Sequence, residues 1–161
     1  METKKMGELY VDIANKVNEI IPDKWEKIWL YAEVLDDSSE VYFYFYSKIS
    51  KKIIYSHDIP NKYKVNNGIY EDLLFELLDI IQELNSEYKQ NNESVWTNLT
   101  FLLDNTGKFK IKYNYDDVLK SEFTSGERQI IWEYEVLGVE PELKEYKEMI
   151  NKYLESKNNL Q

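Results

Sequence analysis

Few residues in this chain have the chemistry to act as catalysts. His57 is the only histidine, and it lies in Tyr55-Ser-His-Asp58, between a hydroxyl and a carboxylate. A nucleophile–base–acid relay needs its three members to converge from separated positions. Neighbours along a strand point to opposite faces, so this adjacency works against a relay. Asp36-Asp37 and Asp116-Asp117, with Asp104, offer the hard oxygens that bind Mg²⁺ or Ca²⁺. Their surroundings lack the Gly and Glu offsets of a calcium loop, and turns or a helix start explain the pairs equally well. Any two of the many acids could form a glycosidase-like pair, and nothing marks one pair above another. The chain has no cysteine, so neither a disulfide nor a thiolate metal site can form. It has 5 glycines, none in a phosphate-cradling loop. The residues therefore predict no catalytic group, no metal, no cofactor and no enzyme.

What the sequence does offer is recognition chemistry. The stretch from Tyr113 to Glu135 sets aromatics beside carboxylates, with no His or Cys among them. Tyr and Trp are favoured anchors of protein interfaces, and carboxylates steer a basic partner. The candidate contact residues are Tyr113, Tyr115, Asp116, Asp117, Glu122, Trp132, Glu133 and Tyr134. Trp132 and Tyr134 serve equally well as anchors for the last helices.

Acidic residues number 30 against 20 basic, giving a net charge of -10 over 161 residues. Such a charge repels nucleic-acid phosphates and attracts basic proteins, so no direct nucleic-acid binding is expected. The 14 Tyr, 6 Phe and 4 Trp accompany many Lys, Asn and Ile and a single Arg, Arg128. AT-rich codon usage would account for that abundance, though not for where the tyrosines sit. Arg128 is expected to pair internally with a carboxylate. An amphipathic stretch follows Met1, without the apolar core of a signal peptide, and no apolar run is long enough to span a membrane. A cytoplasmic protein is expected, and Asn92-Glu-Ser94 and Asn98-Leu-Thr100 are then chance matches to the glycosylation triplet.

These residues must be positioned by helices and strands that alternate along the chain. Leu9, Ile13, Val17 and Ile20 recur at helical spacing over residues 6–21, and Pro22 ends the run. Residues 26–35 and 40–47 alternate with period two about an Asp36–Ser39 turn. One face of this hairpin holds Val41, Phe43 and Phe45; the other holds Trp29, Tyr31, Tyr42, Tyr44 and Tyr46. That tyrosyl stripe is either a second side of the core or part of a partner surface. A third strand is predicted at 52–56, followed by a loop from His57 to Pro60. Residues 69–90 predict the longest helix, with Leu73, Leu74, Leu77, Ile80, Ile81 and Leu84 on its apolar side and acids on the other. A second hairpin spans 96–104 and 108–115 about Asp104-Asn-Thr-Gly107. Thr124 or Ser125 caps a helix to about Leu137 that stops at Gly138. Pro141 stands in the first turn of a last helix lined by Leu143, Tyr146, Ile150 and Tyr153 or Leu154, and residues 158–161 should fray. The sum is one α+β domain over residues 1–161, with an antiparallel sheet of about five strands and N-terminal, central and C-terminal helices.

Several segments together resemble one family. They are Leu9-Tyr-Val-Asp-Ile-Ala-Asn-Lys-Val-Asn-Glu-Ile-Ile-Pro22, Tyr31-Ala-Glu-Val-Leu-Asp-Asp-Ser-Ser-Glu-Val-Tyr-Phe-Tyr-Phe45, Trp96-Thr-Asn-Leu-Thr100, Gly107-Lys-Phe-Lys-Ile-Lys-Tyr-Asn-Tyr-Asp-Asp117 and Glu127-Arg-Gln-Ile-Ile-Trp-Glu-Tyr134. In order and over nearly the whole chain, they resemble the YezG-type immunity proteins, antitoxins of the type VII secretion pathway in Gram-positive bacteria. The resemblance implies a non-catalytic inhibitor that binds the nuclease domain of a cognate secreted toxin in the producing cell. A nuclease presents a basic cleft, which suits the acidic charge. The other readings are an acidic adaptor or chaperone for a different basic client, and a small carboxylate hydrolase.

Overall fold

Thr3 opens the first helix by accepting a hydrogen bond on its side-chain oxygen from the Met6 amide at 3.1 Å. The computed structural model describes residues 2–159. Helix α1 (Lys4–Ile20) buries Met6, Leu9, Tyr10, Ile13, Val17 and Ile20, one side of a 3.6-residue repeat. Ile21 turns extended ahead of Pro22, and the chain enters the sheet. The chain folds as two compact units, one up to Asp116 and one from Asp117 onward.

The first unit holds the whole sheet. Strands β1 (Trp25–Val34), β2 (Ser39–Ser47), β3 (Ile53–Tyr55), β4 (Asn98–Asp104) and β5 (Phe109–Asn114) are ordered β3-β2-β1-β4-β5, antiparallel throughout. The α+β class with a five-stranded antiparallel sheet is the one the sequence predicts. Register places Leu30 opposite both Phe43 and Phe101, and Phe101 opposite Ile111. These residues share a face with Ile28, Ala32, Val41, Phe45, Leu99 and Leu103, and that face builds the core with α1 and the long helix over residues 67–91. Burying each such large apolar side chain stabilises by about 1.5–3 kcal/mol.

Helix α3 (Asn67–Asn91) is capped by the Asn66 side chain, which accepts from the Ile69 amide at 3.2 Å. Leu77, Ile81 and Leu84 are fully buried. The ion pairs Lys5–Glu83 (3.0 Å) and Lys16–Glu76 (2.6 Å) run in opposite chain directions, so α3 lies antiparallel to α1. Between β3 and α3 the structure corrects the expected loop. Residues Ser56–Asp58 form a tight helical turn and Ile59–Tyr63 a short helix, α2, with Pro60 in its first turn. Proline there lacks only an N–H that the first turn leaves unpaired anyway.

The opposite face of the sheet carries the tyrosines. Tyr31 stacks on Tyr42 at 5.1 Å and Tyr44 on Tyr55 at 5.0 Å. Tyr31, Tyr42 and Tyr44 are buried, and so is Glu33, which accepts the Tyr31 hydroxyl at 2.5 Å. The centre of that stripe is thus interior and not open surface.

In the second unit, Thr124 and Glu127 form a reciprocal cap, with bonds of 3.2 and 2.9 Å, at the start of α4 (Ser125–Trp132). A wider π-type turn, Glu133–Leu137, prolongs it to Gly138, whose φ of 72° needs glycine's freedom. Helix α5 (Lys144–Asn159) begins three residues after the predicted Pro141 start. Pro141 lies outside it, and the Leu143 carbonyl accepts the first helical bonds from the Tyr146 and Lys147 amides. Leu143 is exposed and lies outside the stripe it was expected to join. The unit's core is Ile131, Met149 and Ile150, with Phe123, Ile130, Tyr134, Tyr146, Tyr153 and Leu154 packed around it. Asn158 and Asn159 are helical, and the rest of the stretch expected to fray lies outside the described residues.

Candidate interaction surface

At the end of β5 in the first unit, four tyrosines from three elements meet. Trp96 is fully buried and stacks on Tyr113 at 5.5 Å. The Tyr113 hydroxyl is hydrogen-bonded to that of Tyr10 at 2.7 Å, and Tyr10 also donates to the Glu2 carboxylate at 3.2 Å. Tyr88 packs on Tyr113 at 5.0 Å and hydrogen-bonds to the hydroxyl of Tyr115. Helix α1 supplies Tyr10 and α3 supplies Tyr88 because each continues the buried stripe of its helix, Tyr10 beside Leu9 and Tyr88 four residues past Leu84. The β4–β5 hairpin supplies the other two. Asp104 sets that hairpin by accepting from the Thr106 and Lys108 amides at 2.9 and 3.1 Å, and Gly107 takes φ 90°.

The phenols of Tyr10, Tyr113 and Tyr115 are held protonated. Burial pushes the Tyr113 hydroxyl far above the usual tyrosine range, helped by the bond to Tyr10. Burial raises Tyr10 to about 12. The bond to Tyr88, with some burial, raises Tyr115 to about 12. At neutral pH these groups are hydroxyls engaged with one another, an arrangement for packing and hydrogen bonding and not for nucleophilic attack. Tyr115 is 48% exposed and leads into exposed Asp116. The backbone of Asp116 is fixed at both ends: its amide donates to Asn114 at 2.8 Å, and its carbonyl accepts the Thr97 hydroxyl at 2.7 Å. A carboxylate on a pinned backbone beside an aromatic is well placed to receive a cationic side chain.

The remaining candidates belong to the second unit. Asp117 is exposed, 3.9 Å from Lys120, and Glu122 lies 3.5 Å from Lys152. Trp132 is buried, at 8% exposure. Glu133 is half-buried, and Tyr134 packs on the Ile131–Met149–Ile150 core. Arg128 donates to the Phe123 carbonyl at 3.1 Å. The eight predicted residues therefore divide: Tyr113, Tyr115 and Asp116 gather on the first unit, and the other five lie on the second. Tyr10, Tyr88 and Trp96 were missed. Their signal was present only as aromatics on helical stripes or beside a strand, and the pairing of Tyr88 with Tyr115 spans 27 residues.

Ser56 and His57 are engaged within the fold. Ser56 accepts the Phe43 amide at 3.1 Å, and His57 Nδ1 is bonded to the Tyr70 hydroxyl at 2.7 Å. Burial lowers the His57 pKa against the pull of Asp58. A shallow depression of about 360 Å³ is lined by Asn18, Asp23, Lys24, Trp25, Lys48 and Asn105. Its single carboxylate, Asp23, is occupied by the Tyr63 and Ser47 hydroxyls and the Lys24 amide at 2.5, 2.8 and 2.7 Å. Among the described residues, no three His, Cys, Asp or Glu side chains are grouped to hold a metal ion. No helix among them is long and apolar enough to cross a membrane.

Residues 6–151 match the family of YezG-like immunity proteins. The immunity protein YezG of Bacillus spizizenii is 49% identical over 156 residues, covering 97% of both chains. That of Bacillus subtilis is 50% identical over 149 residues, covering 92% of this chain and 99% of its own. The type VII secretion system protein EsaG of Staphylococcus aureus is 32% identical over 139 residues, covering 86% of this chain and 85% of its own. This chain belongs to the YezG-like immunity protein family.

Proposed function

We propose that this protein neutralises a cognate secreted nuclease toxin by direct protein–protein contact in the cytoplasm, with residues 1–161 acting as one immunity domain. No catalysis, metal or cofactor enters the mechanism. Family membership supports the class of function. The observation that carries the mode of action is the tyrosine cluster ending in exposed Tyr115 and Asp116, on a chain of net charge -10. Acidic groups draw the basic phosphate-binding face of a nuclease toward the inhibitor, and desolvated aromatics then hold it. On the first unit we assign contacts to Tyr115 and Asp116, supported from beneath by Tyr113. On the second we assign Asp117, Glu122, Glu133 and Tyr134, with Trp132 as their internal support.

Co-expression with the nuclease domain of its cognate toxin should rescue growth. Asp116→Lys with Asp117→Lys should keep the wild-type melting temperature and lose most of that rescue. A folded double variant that protects fully would place the contact elsewhere. A client other than a toxin, served by the chain as an acidic adaptor, would leave growth unrescued even by the wild type.

A further inference from the structure

The outward stripe of α3 is far from inert. Ile69, Asp72, Phe75, Asp79 and Glu83 follow one another at three- and four-residue steps, with Glu76 beside Phe75, and all are exposed. Phe75 is 61% exposed and Ile69 58%. Neither is needed by the core, which α3 reaches through Leu77, Ile81 and Leu84 on its other side. Lys16 neutralises Glu76 and Lys5 neutralises Glu83. Among the described residues, Asp72 and Asp79, on either side of Phe75, have no ion-pair partner. An isolated surface phenylalanine is common and needs no explanation. Here the ring stands between two uncompensated carboxylates on a 25-residue helix tied to α1 by ion pairs at Glu76 and Glu83. An apolar centre with a charged rim, on a rigid element, is the anatomy of a protein-binding hot spot.

We infer that the solvent face of α3 is a second docking surface for the toxin, in which Phe75 enters an apolar pocket and Asp72 and Asp79 meet flanking Lys or Arg. The inference rests on the immunity reading above and specifies the partner's chemistry. A nuclease must carry Lys and Arg to hold phosphates, so its surface complements this stripe in charge.

The test compares binding of the purified nuclease domain of the toxin that the wild type neutralises to four folded proteins. They are the wild type, Phe75→Ala, the double variant Asp72→Lys with Asp79→Lys, and Ile49→Ala. Ile49, 72% exposed in the β2–β3 turn, controls for loss of any surface apolar group. Phe75→Ala should raise Kd at least about tenfold, mostly by faster dissociation. The charge-reversed pair should slow association about tenfold at low salt. Ile49→Ala should stay within about twofold of wild type. Wild-type binding by both α3 variants would overturn this inference and leave the immunity reading standing, as would equal losses for Phe75→Ala and Ile49→Ala. A wild-type protein that neither binds nor neutralises would remove both.

Discussion

Two aromatics from the same acidic stretch have opposite fates, and burial separates them. Trp132 is 8% exposed, whereas Tyr115 is 48% exposed with its hydroxyl bonded to Tyr88. Trp132→Ala removes a large buried side chain, which costs about 3–5 kcal/mol with the cavity it leaves. The expected outcome is a large fall in melting temperature, with any loss of toxin binding following from unfolding. Tyr115→Ala gives up one partly exposed hydrogen bond and should cost no more than about 1 kcal/mol of stability. Its binding loss should reach about 2 kcal/mol, the threshold of an interface hot spot. Thermal melts beside toxin titrations of both variants separate the cases. Tyr115→Ala that folds and binds as tightly as wild type would remove it from the contact.

At the scale of elements, local chemistry at one turn and one cap can be tested without touching any contact. Gly107 sits at φ 90°, where a side chain is strained although nothing crowds its Cβ position. Gly107→Ala should therefore cost about 1–2 kcal/mol through backbone strain alone. Thr124→Ala breaks the reciprocal cap with Glu127 and should cost about 1 kcal/mol. Denaturant titration of each variant reads these values directly, and a neutral Gly107→Ala would contradict the strain account. The same local signals are why these elements were legible in the sequence. Period-two alternation located β1, β2, β4 and β5, and the apolar stripes located α1 and α3. The loop expected from His57 to Pro60 is instead helical: a proline argues against a helix interior, yet Pro60 stands in the first turn of α2. Pro141 misled in the opposite sense, since α5 starts only at Lys144. The candidate surface was legible in part. Tyr115 and Asp116 announce themselves locally, but Tyr10, Tyr88 and Trp96 join them only through tertiary pairing that no short-range pattern encodes. The sequence leaves Trp132 open between an interface contact and an anchor of the last helices, because residue type alone does not distinguish a buried aromatic from an exposed one.

For the molecule as a whole, charge governs how a partner arrives more than how tightly it stays. A net charge of -10 sets up a long-range field, while the Tyr115 and Phe75 side chains proposed as contacts would act only at short range. The two contributions respond differently to salt. The Debye length shrinks from ~10 Å at 0.1 M to ~3 Å at 1 M, which screens steering over the approach distance. Buried aromatic contacts are little affected by the same change. Association with a basic toxin should therefore slow by at least about tenfold across that range, with dissociation changing much less. Stopped-flow binding at several ionic strengths measures both rates. An association rate flat in salt would mean that the acidic surface serves solubility and takes no part in capture. A dissociation rate that rises as steeply as association falls would shift the binding energy from the aromatics to the ion pairs, and Asp116, Asp72 and Asp79 would become the residues on which affinity depends.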